Sequence, residues 1–294
     1  MRPTLLMLSL ATAAPLSAMA AAGPAVAPQY DTTHVYVAPA DVDPFVQSFI
    51  ATFGGQSTPQ VVADVTPTPS STTSHLLQTP SGTVSLFGFK TPVPHPFGAE
   101  RNGYLVNDLD AALVAAKQAG ADVIVTAFPD PIGRDAVVQW PGGVNLQLYW
   151  HTAAPSYAPL VTVPENRVYV SADRVAAFKQ AFVAFSHGKV VSDSAAAPGR
   201  EIGRPSYVYR RIRIESTFGK LVVIATDGLL PYPYGRESTG YEVRDMADTL
   251  SKAAAAGVAI LVPPSQSEGR VSAMLEFPGG YVAEVHALLS ADAH

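Results

Sequence analysis

His95-Pro96-Phe97-Gly98-Ala99-Glu100-Arg101-Asn102-Gly103-Tyr104-Leu105-Val106 returns 137 residues later as Tyr232-Pro233-Tyr234-Gly235-Arg236-Glu237-Ser238-Thr239-Gly240-Tyr241-Glu242-Val243, with Pro, Gly, Glu, Gly, Tyr and Val in register. Both copies run into an Asp, an alanine-rich helical pattern and a Pro-Gly-Gly hairpin. A repeat at this spacing means that the chain is assembled from like units that must pack on one another to cover their apolar faces.

Working outward from the first copy, Gly103 to Val106 reads as a strand. Asp108 is a good N-cap for a helix that Gly120 ends. Ala121 to Ala127 is a further strand, and Asp135 to Trp140 pairs with Val144 to Trp150 through Pro141-Gly142-Gly143. Upstream, Thr33 to Val37 alternates as a strand, and Val42, Phe45, Phe49 and Ile50 make one face of a helix closed by Gly54-Gly55. Val61 to Val65, Leu76-Leu77 and Thr83 to Phe89 are strand candidates. Both units therefore read β-α-β-β-β.

The second copy repeats the order. Arg167 to Val170 is a strand, Ala172 to Phe185 a helix, and Tyr207 to Ile214 and Leu221 to Ala225 are strands. Then come Tyr241 to Val243, a helix from Asp245 stopped by Gly257, Ala259 to Val262, and a hairpin around Pro278-Gly279-Gly280. Pro155, Pro159 and Pro164 mark 152–165 as a linker. The expected fold is α+β: four units paired into tandem modules at 32–151 and 166–290, each a curved mixed sheet around a pocket. Pairing is expected because a lone unit leaves a sheet edge and face uncovered.

With 294 residues, 48% hydrophobic and 15% charged, the chain suits two packed domains. A net charge of −5 without like-charge blocks argues against nucleic acid and anionic membrane surfaces as partners. Arg2, the apolar run Leu5 to Leu16 and Ala18-Met19-Ala20 read as a signal peptide over 1–20, followed by a flexible leader over 21–31. Ala25-Val26-Ala27 also fits a cleavage site, but Pro28 follows it. Export to a periplasm or the extracellular space is the expectation, with no membrane contact after cleavage. The absence of cysteine excludes disulfides, a lipid-anchored cysteine and a thiol nucleophile.

Thr33-His34-Val35-Tyr36-Val37, Tyr104-Leu105-Val106-Asn107-Asp108-Leu109-Asp110, Phe128-Pro129-Asp130-Pro131 and Trp140-Pro141-Gly142-Gly143-Val144-Asn145-Leu146-Gln147-Leu148-Tyr149 together resemble the vicinal oxygen chelate superfamily of glyoxalase, bleomycin-resistance and extradiol-dioxygenase proteins. The resemblance covers 33–150 and 166–288. It implies ligands for a divalent metal on the first strand of each unit and the last strand of each pair, commonly two histidines and a glutamate. By motif the first module offers His34, Arg101 and Gln147, and the second Arg167, Ser238 and Glu284. Neither is an intact triad, and arginine has no lone pair for a cation.

Two functions follow. One is a protein that binds a small molecule, an anion among the candidates, through His34, Tyr36, Arg101, Gln147 and Tyr149, or through Arg167, Ser238 and Glu284. The other is a lyase, isomerase or dioxygenase holding one divalent metal through His34 with Gln147, or Glu284 with His286. Glu284 and His286 share a strand face, but an ion pair between Glu284 and Arg167 is the favoured expectation. Glu100 and Glu237 are expected to brace their turns by accepting backbone N–H bonds. Arg134 and Arg270 are candidate anion binders or ordinary hairpin charges, and Tyr207, Tyr209, Arg211 and Arg213 are expected on the solvated side of a sheet. A homo-oligomer is left open.

Overall fold

The structure, a computed structural model, describes residues 23–28, 31–235 and 237–289; the expected signal peptide lies outside them. The first half runs β1 (Asp31–Val37), α1 (Val42–Phe53), β2 (Gln56–Ser57), β3 (Val61–Ala63), β4 (Thr72–Thr79), β5 (Gly82–Phe89), β6 (Arg101–Leu105), α2 (Leu109–Gln118), β7 (Asp122–Asp130), β8 (Gly133–Trp140) and β9 (Val144–His151). The second half runs β10 (Glu165–Ser171), α3 (Val175–Ser186), β11 (Lys189–Pro198), β12 (Val208–Ser216), β13 (Gly219–Thr226), β14 (Ser238–Glu242), α4 (Met246–Ala255), β15 (Ala259–Ser267), β16 (Arg270–Phe277) and β17 (Tyr281–Leu288).

Each half closes into its own mixed sheet. The orders are β2-β4-β5-β1-β6-β9-β8-β7, with β3 also on β4, and β11-β12-β13-β10-β14-β17-β16-β15. Within a unit the first and last strands pair in parallel, β1 with β5 and β6 with β9. The two units of a half join through antiparallel β1 and β6. This is the α+β architecture of two paired-unit modules.

Alternation gives every strand two faces. In β1, Val35 and Val37 enter an apolar core with Phe45, Phe49 and Phe53 of α1, while His34 and Tyr36 face a pocket. The cores are shared across the modules. Helices α1 and α4 meet between the two sheets in one core, and α2 and α3 in the other. At the centre, Thr33 and Thr239 hydroxyls lie 2.7 Å apart and Asn166 Nδ2 donates to Asn102 Oδ1 at 2.8 Å.

The Pro-Gly-Gly hairpins recur for the same reason. Gly142 and Gly279 have positive φ, and a Cβ would lie 2.8 Å from Val170 and 2.5 Å from Val37 of the opposite module. Both the backbone conformation and the close approach require glycine. Both repeat copies begin with a cis peptide, His95-Pro96 and Tyr232-Pro233.

Three details differ from the sequence reading. Part of the stretch read as a flexible leader is docked: Val26 N–H donates to Leu105 O, Asn107 N–H donates to Pro24 O, and Ala25 is buried. Strand β11 was not foreseen, because Lys189 to Ser194 shows little apolar alternation; it is a mostly exposed edge strand with two register shifts against β12. Tyr209 and Arg211 are buried, at 7% and 4% exposure, rather than solvated.

Candidate functional site

The pocket face of module 1 is built from three adjacent strands. His34 sits opposite Arg101 across β1 and β6, and Gly103 sits opposite Gln147 across β6 and β9. A Cβ on Gly103 would lie 2.6 Å from His34 Nε2, so the glycine makes the room that the imidazole occupies. The repeat carries the same device into module 2, where a Cβ on Gly240 would lie 2.6 Å from Glu284 Oε2.

A hydrogen-bond chain runs through the module 1 face. Gln147 Nε2 donates to Asp135 Oδ2 at 2.7 Å, which leaves Gln147 Oε1 to accept from His34 Nδ1 at 3.2 Å. His34 is therefore a neutral ring with N–H at Nδ1 and a lone pair at Nε2. Burial, aided by the Arg101 charge, holds its pKa down at about 3. Burial also pushes the Asp135 carboxyl well above the usual range, with the Asp130 charge adding to the shift.

This face lines a cavity of about 210 Å³. Tyr36 stacks on Phe87 and Phe89 at 5.3 and 5.4 Å, and His34 meets Phe87 edge-on at 5.7 Å. Tyr149, His151 and Tyr157 close another side, with Asp130 and Asp135 the acidic residues of the lining. His75, unnoticed in the sequence, lines it from β4. Its Nδ1 lies 3.3 Å from Thr58 O, and its buried Nε2 has no hydrogen-bond partner. Asp135 was also missed as a site residue; its place on β8 opposite Tyr149 was the available signal.

Arg101 does not line this cavity. It is buried at 1% exposure, with its guanidinium over the Tyr36 and Phe97 rings at 5.3 and 5.0 Å. Its Nη2 donates to the carbonyls of Pro96 and Ala99. An anion in the module 1 cavity therefore has no arginine to meet, contrary to the sequence expectation.

The corresponding face of module 2 is lined by charges, around a cavity of about 350 Å³ that Glu201, Arg211 and Arg270 border. Arg167 pairs with Glu201 at 2.9 Å, and Arg211 and Tyr209 also bind Glu201. Arg270 forms a fork with Glu165 at 2.9 and 3.0 Å. His286 Nδ1 lies 2.7 Å from Glu284 Oε2. The expected direct pair of Glu284 with Arg167 is thus replaced by Glu201, whose helical-turn position gave no hint in the sequence. Arg167 still acts on Glu284 through its charge. Burial would raise both Glu165 and Glu284, but their cationic neighbours outweigh it and hold both low. Ser238 is buried opposite Arg167. Arg134 makes an exposed fork with Asp110 on α2.

The metal that the fold implies can be tested against these donors. In module 1, Arg101 takes one ligand position and Gln147 has both amide ends engaged, so the set does not fit a divalent ion. In module 2, Arg167 brings a positive charge to the corresponding place. Two residues away, donor atoms of Glu165, Glu284 and His286 come within 4.8 Å of one another. That cluster has the right spacing, but Arg270 holds both oxygens of Glu165, so it does not fit a cation in this arrangement.

Glu237 crosses between modules: its Oε2 accepts the Asn102 backbone N–H at 3.2 Å. The bracing expected within its own turn is made to the other module instead.

No protein-family profile and no curated protein sequence matches the chain. Solved structures do. An engineered 4-hydroxymandelate synthase from Streptomyces coelicolor superposes with TM-score 0.64 at 14% identity, over 92% of this chain and 95% of that one. A Mn(II)-bound glyoxalase from Novosphingobium aromaticivorans gives 0.54 at 14% identity over 93% and 86%. A catechol 2,3-dioxygenase gives 0.51 at 13% over 90% of both chains. With two paired-unit sheets, shared helical cores and these neighbours, the chain has the two-module fold of the vicinal oxygen chelate superfamily.

Proposed function

We propose that module 1 binds a small, flat, uncharged aromatic molecule that donates a hydrogen bond, without help from a metal ion, and that module 2, whose corresponding cavity is bordered by ion pairs instead of aromatic rings, does not share that ligand. The observation that carries this is the His34–Gln147–Asp135 chain beneath an aromatic cavity. It fixes His34 neutral, with a lone pair at Nε2. His75 Nε2 offers a second acceptor, and the rings of Tyr36, Phe87 and Tyr149 favour a planar partner. A phenolic O–H supplies the matching donor.

The test is calorimetric titration of chelator-treated protein with phenol. Saturable binding weakened about fivefold to tenfold in His34→Ala, the worth of one neutral hydrogen bond, is expected. Equal affinity in His34→Ala, or no binding, sinks the reading.

Export is part of the same proposal. Cleavage after Ala20 would keep the docked residues 23–28, whereas cleavage after Ala27 would remove the contacts of Pro24 and Val26 with β6 and its following loop.

A second reading rests on the 4.8 Å cluster of Glu165, Glu284 and His286. If Arg270 swung away, two carboxylates and an imidazole would make a divalent-metal site. The metal would supply Lewis-acid activation of vicinal oxygens. A tightly held ion released by Glu284→Ala would establish it.

A further inference from the structure

One wall of the module 2 cavity is a four-residue patch on the β15–β16 hairpin. Ser265 pairs with Ser272 and Ser267 with Arg270, so the four side chains share one face, and all of them line the cavity. The residues 137 positions earlier are Phe128, Asp130, Gly133 and Asp135, and they keep the same pairing, Phe128 with Asp135 and Asp130 with Gly133. Two carboxylates of module 1 are therefore hydroxyls in module 2, and a glycine is an arginine.

The surrounding charges lean the same way. Arg200, Arg211 and Arg270 border the cavity against one carboxylate, Glu201, which is itself engaged by Arg167, Arg211 and Tyr209. Arg211 is buried between Glu201 and Glu268, so it adds charge rather than contact. Burial and the charge of Arg211, joined by that of Arg270, push the neighbouring Arg213 guanidinium down from its usual value, the mark of crowded cations.

Several donors are also unengaged. Arg200 is exposed and makes no ion pair or side-chain hydrogen bond among the described residues. Arg270 gives Nη1 and Nη2 to Glu165, while its Nε–H has no partner among the described residues. The hydroxyls of Ser265, Ser267 and Ser272 have none there either. Guanidinium and hydroxyl hydrogens around one space suit an anion with oxygens on every side. A carboxylate, with two oxygens on one side, meets fewer of them.

We propose that the module 2 cavity binds a small ligand through its phosphate or sulfate group, held by Arg200, Arg270 and the hydroxyls of Ser265, Ser267 and Ser272. A cavity of about 350 Å³ leaves room beyond that group for a small organic remainder. The site stands whether or not the module 1 cavity binds an aromatic.

The test is calorimetric titration of the full chain with inorganic phosphate, then with sulfate, against chloride at equal ionic strength. One saturable site is expected for an oxyanion and none for chloride, and the tighter of the two identifies the group. Arg200→Ala removes an exposed side chain with no partner to lose, and should weaken oxyanion binding about fivefold to tenfold. Ser267→Asp installs the module 1 residue beside Arg270 and should weaken it by about tenfold or more. No saturable heat from either oxyanion, or formate bound as tightly as both, overturns the proposal. Oxyanion affinity unchanged in Arg200→Ala does the same, and that variant decides alone should Ser267→Asp not fold.

Discussion

Gly103→Ala tests the geometry beneath the module 1 pocket with a single methyl group. The added Cβ would meet His34 Nε2 at 2.6 Å and Cε1 at 2.8 Å, well inside contact distance. The ring is 6% exposed, edge-on to Phe87 and tilted against Tyr149 at 6.1 Å, and its open side is the module 1 cavity. Relief must come from rotating the imidazole, which breaks its bond to Gln147. Overpacking costs about 1–3 kcal/mol and the lost hydrogen bond about 1 more, so a destabilisation of about 2–4 kcal/mol is expected in urea unfolding. Because the clash is with one side chain, His34→Ala in the same molecule should recover most of the overpacking cost. The double-mutant cycle should show a coupling on the order of 1–3 kcal/mol. Strict additivity, or a Gly103→Ala protein within about 0.5 kcal/mol of wild type, would refute the claim that this glycine makes room for His34. Gly240→Ala should repeat the effect against Glu284.

Other consequences concern charge and the N-terminus. Arg167→Met removes one of the two buried arginines that hold Glu201, and a cation that acts on Glu284, and should cost about 3 kcal/mol in chemical unfolding; adding Glu201→Gln should return part of it. The folded-state pKa of His34, about 3, lies below the usual 6.5. Its linkage is therefore silent above 6.5 and removes stability as pH falls from there toward 3, by up to about 4 kcal/mol, and His34→Phe should flatten that acid limb. Glu237 acts in the opposite sense. Its pKa is raised from 4.5 to about 8, so stability is full below 4.5 and lost as pH rises through 8, and Glu237→Gln should gain on wild type across that window in melting curves. Mature protein recovered after secretion should begin at Ala21 by N-terminal sequencing; a start at Pro28 would contradict the role given to residues 23–28.

Much of the fold was legible because the repeat carries its own physics. Asp108 and Asp245 cap α2 and α4 through side-chain bonds to Ala111 and Asp248 N–H. The glycines that recur at 103 and 240, and at 142 and 279, mark backbone positions where another strand or module comes close. Edge strand β11 was illegible because an exposed edge has no apolar face to announce it. The site was legible only along single strands. Alternation put His34 with Tyr36 and Gln147 with Tyr149, but which strand lies beside which is a tertiary fact. Asp135, His75 and Glu201 therefore joined the sites only once the sheets were assembled. Arg101 shows the limit most clearly: motif position placed it on the pocket strand, yet its side chain turns toward Pro96 and Ala99 and the module boundary.

The central claim is that neither module is built to hold a metal ion. Its most direct test is metal content by mass spectrometry on untagged protein, before and after chelation, followed by soaking with Zn, Ni, Mn and Fe. No stoichiometric metal in either preparation and no uptake on soaking is the expected result. About one tightly held ion per chain, lost in Glu284→Ala, would contradict it and move the chemistry to Glu165, Glu284 and His286.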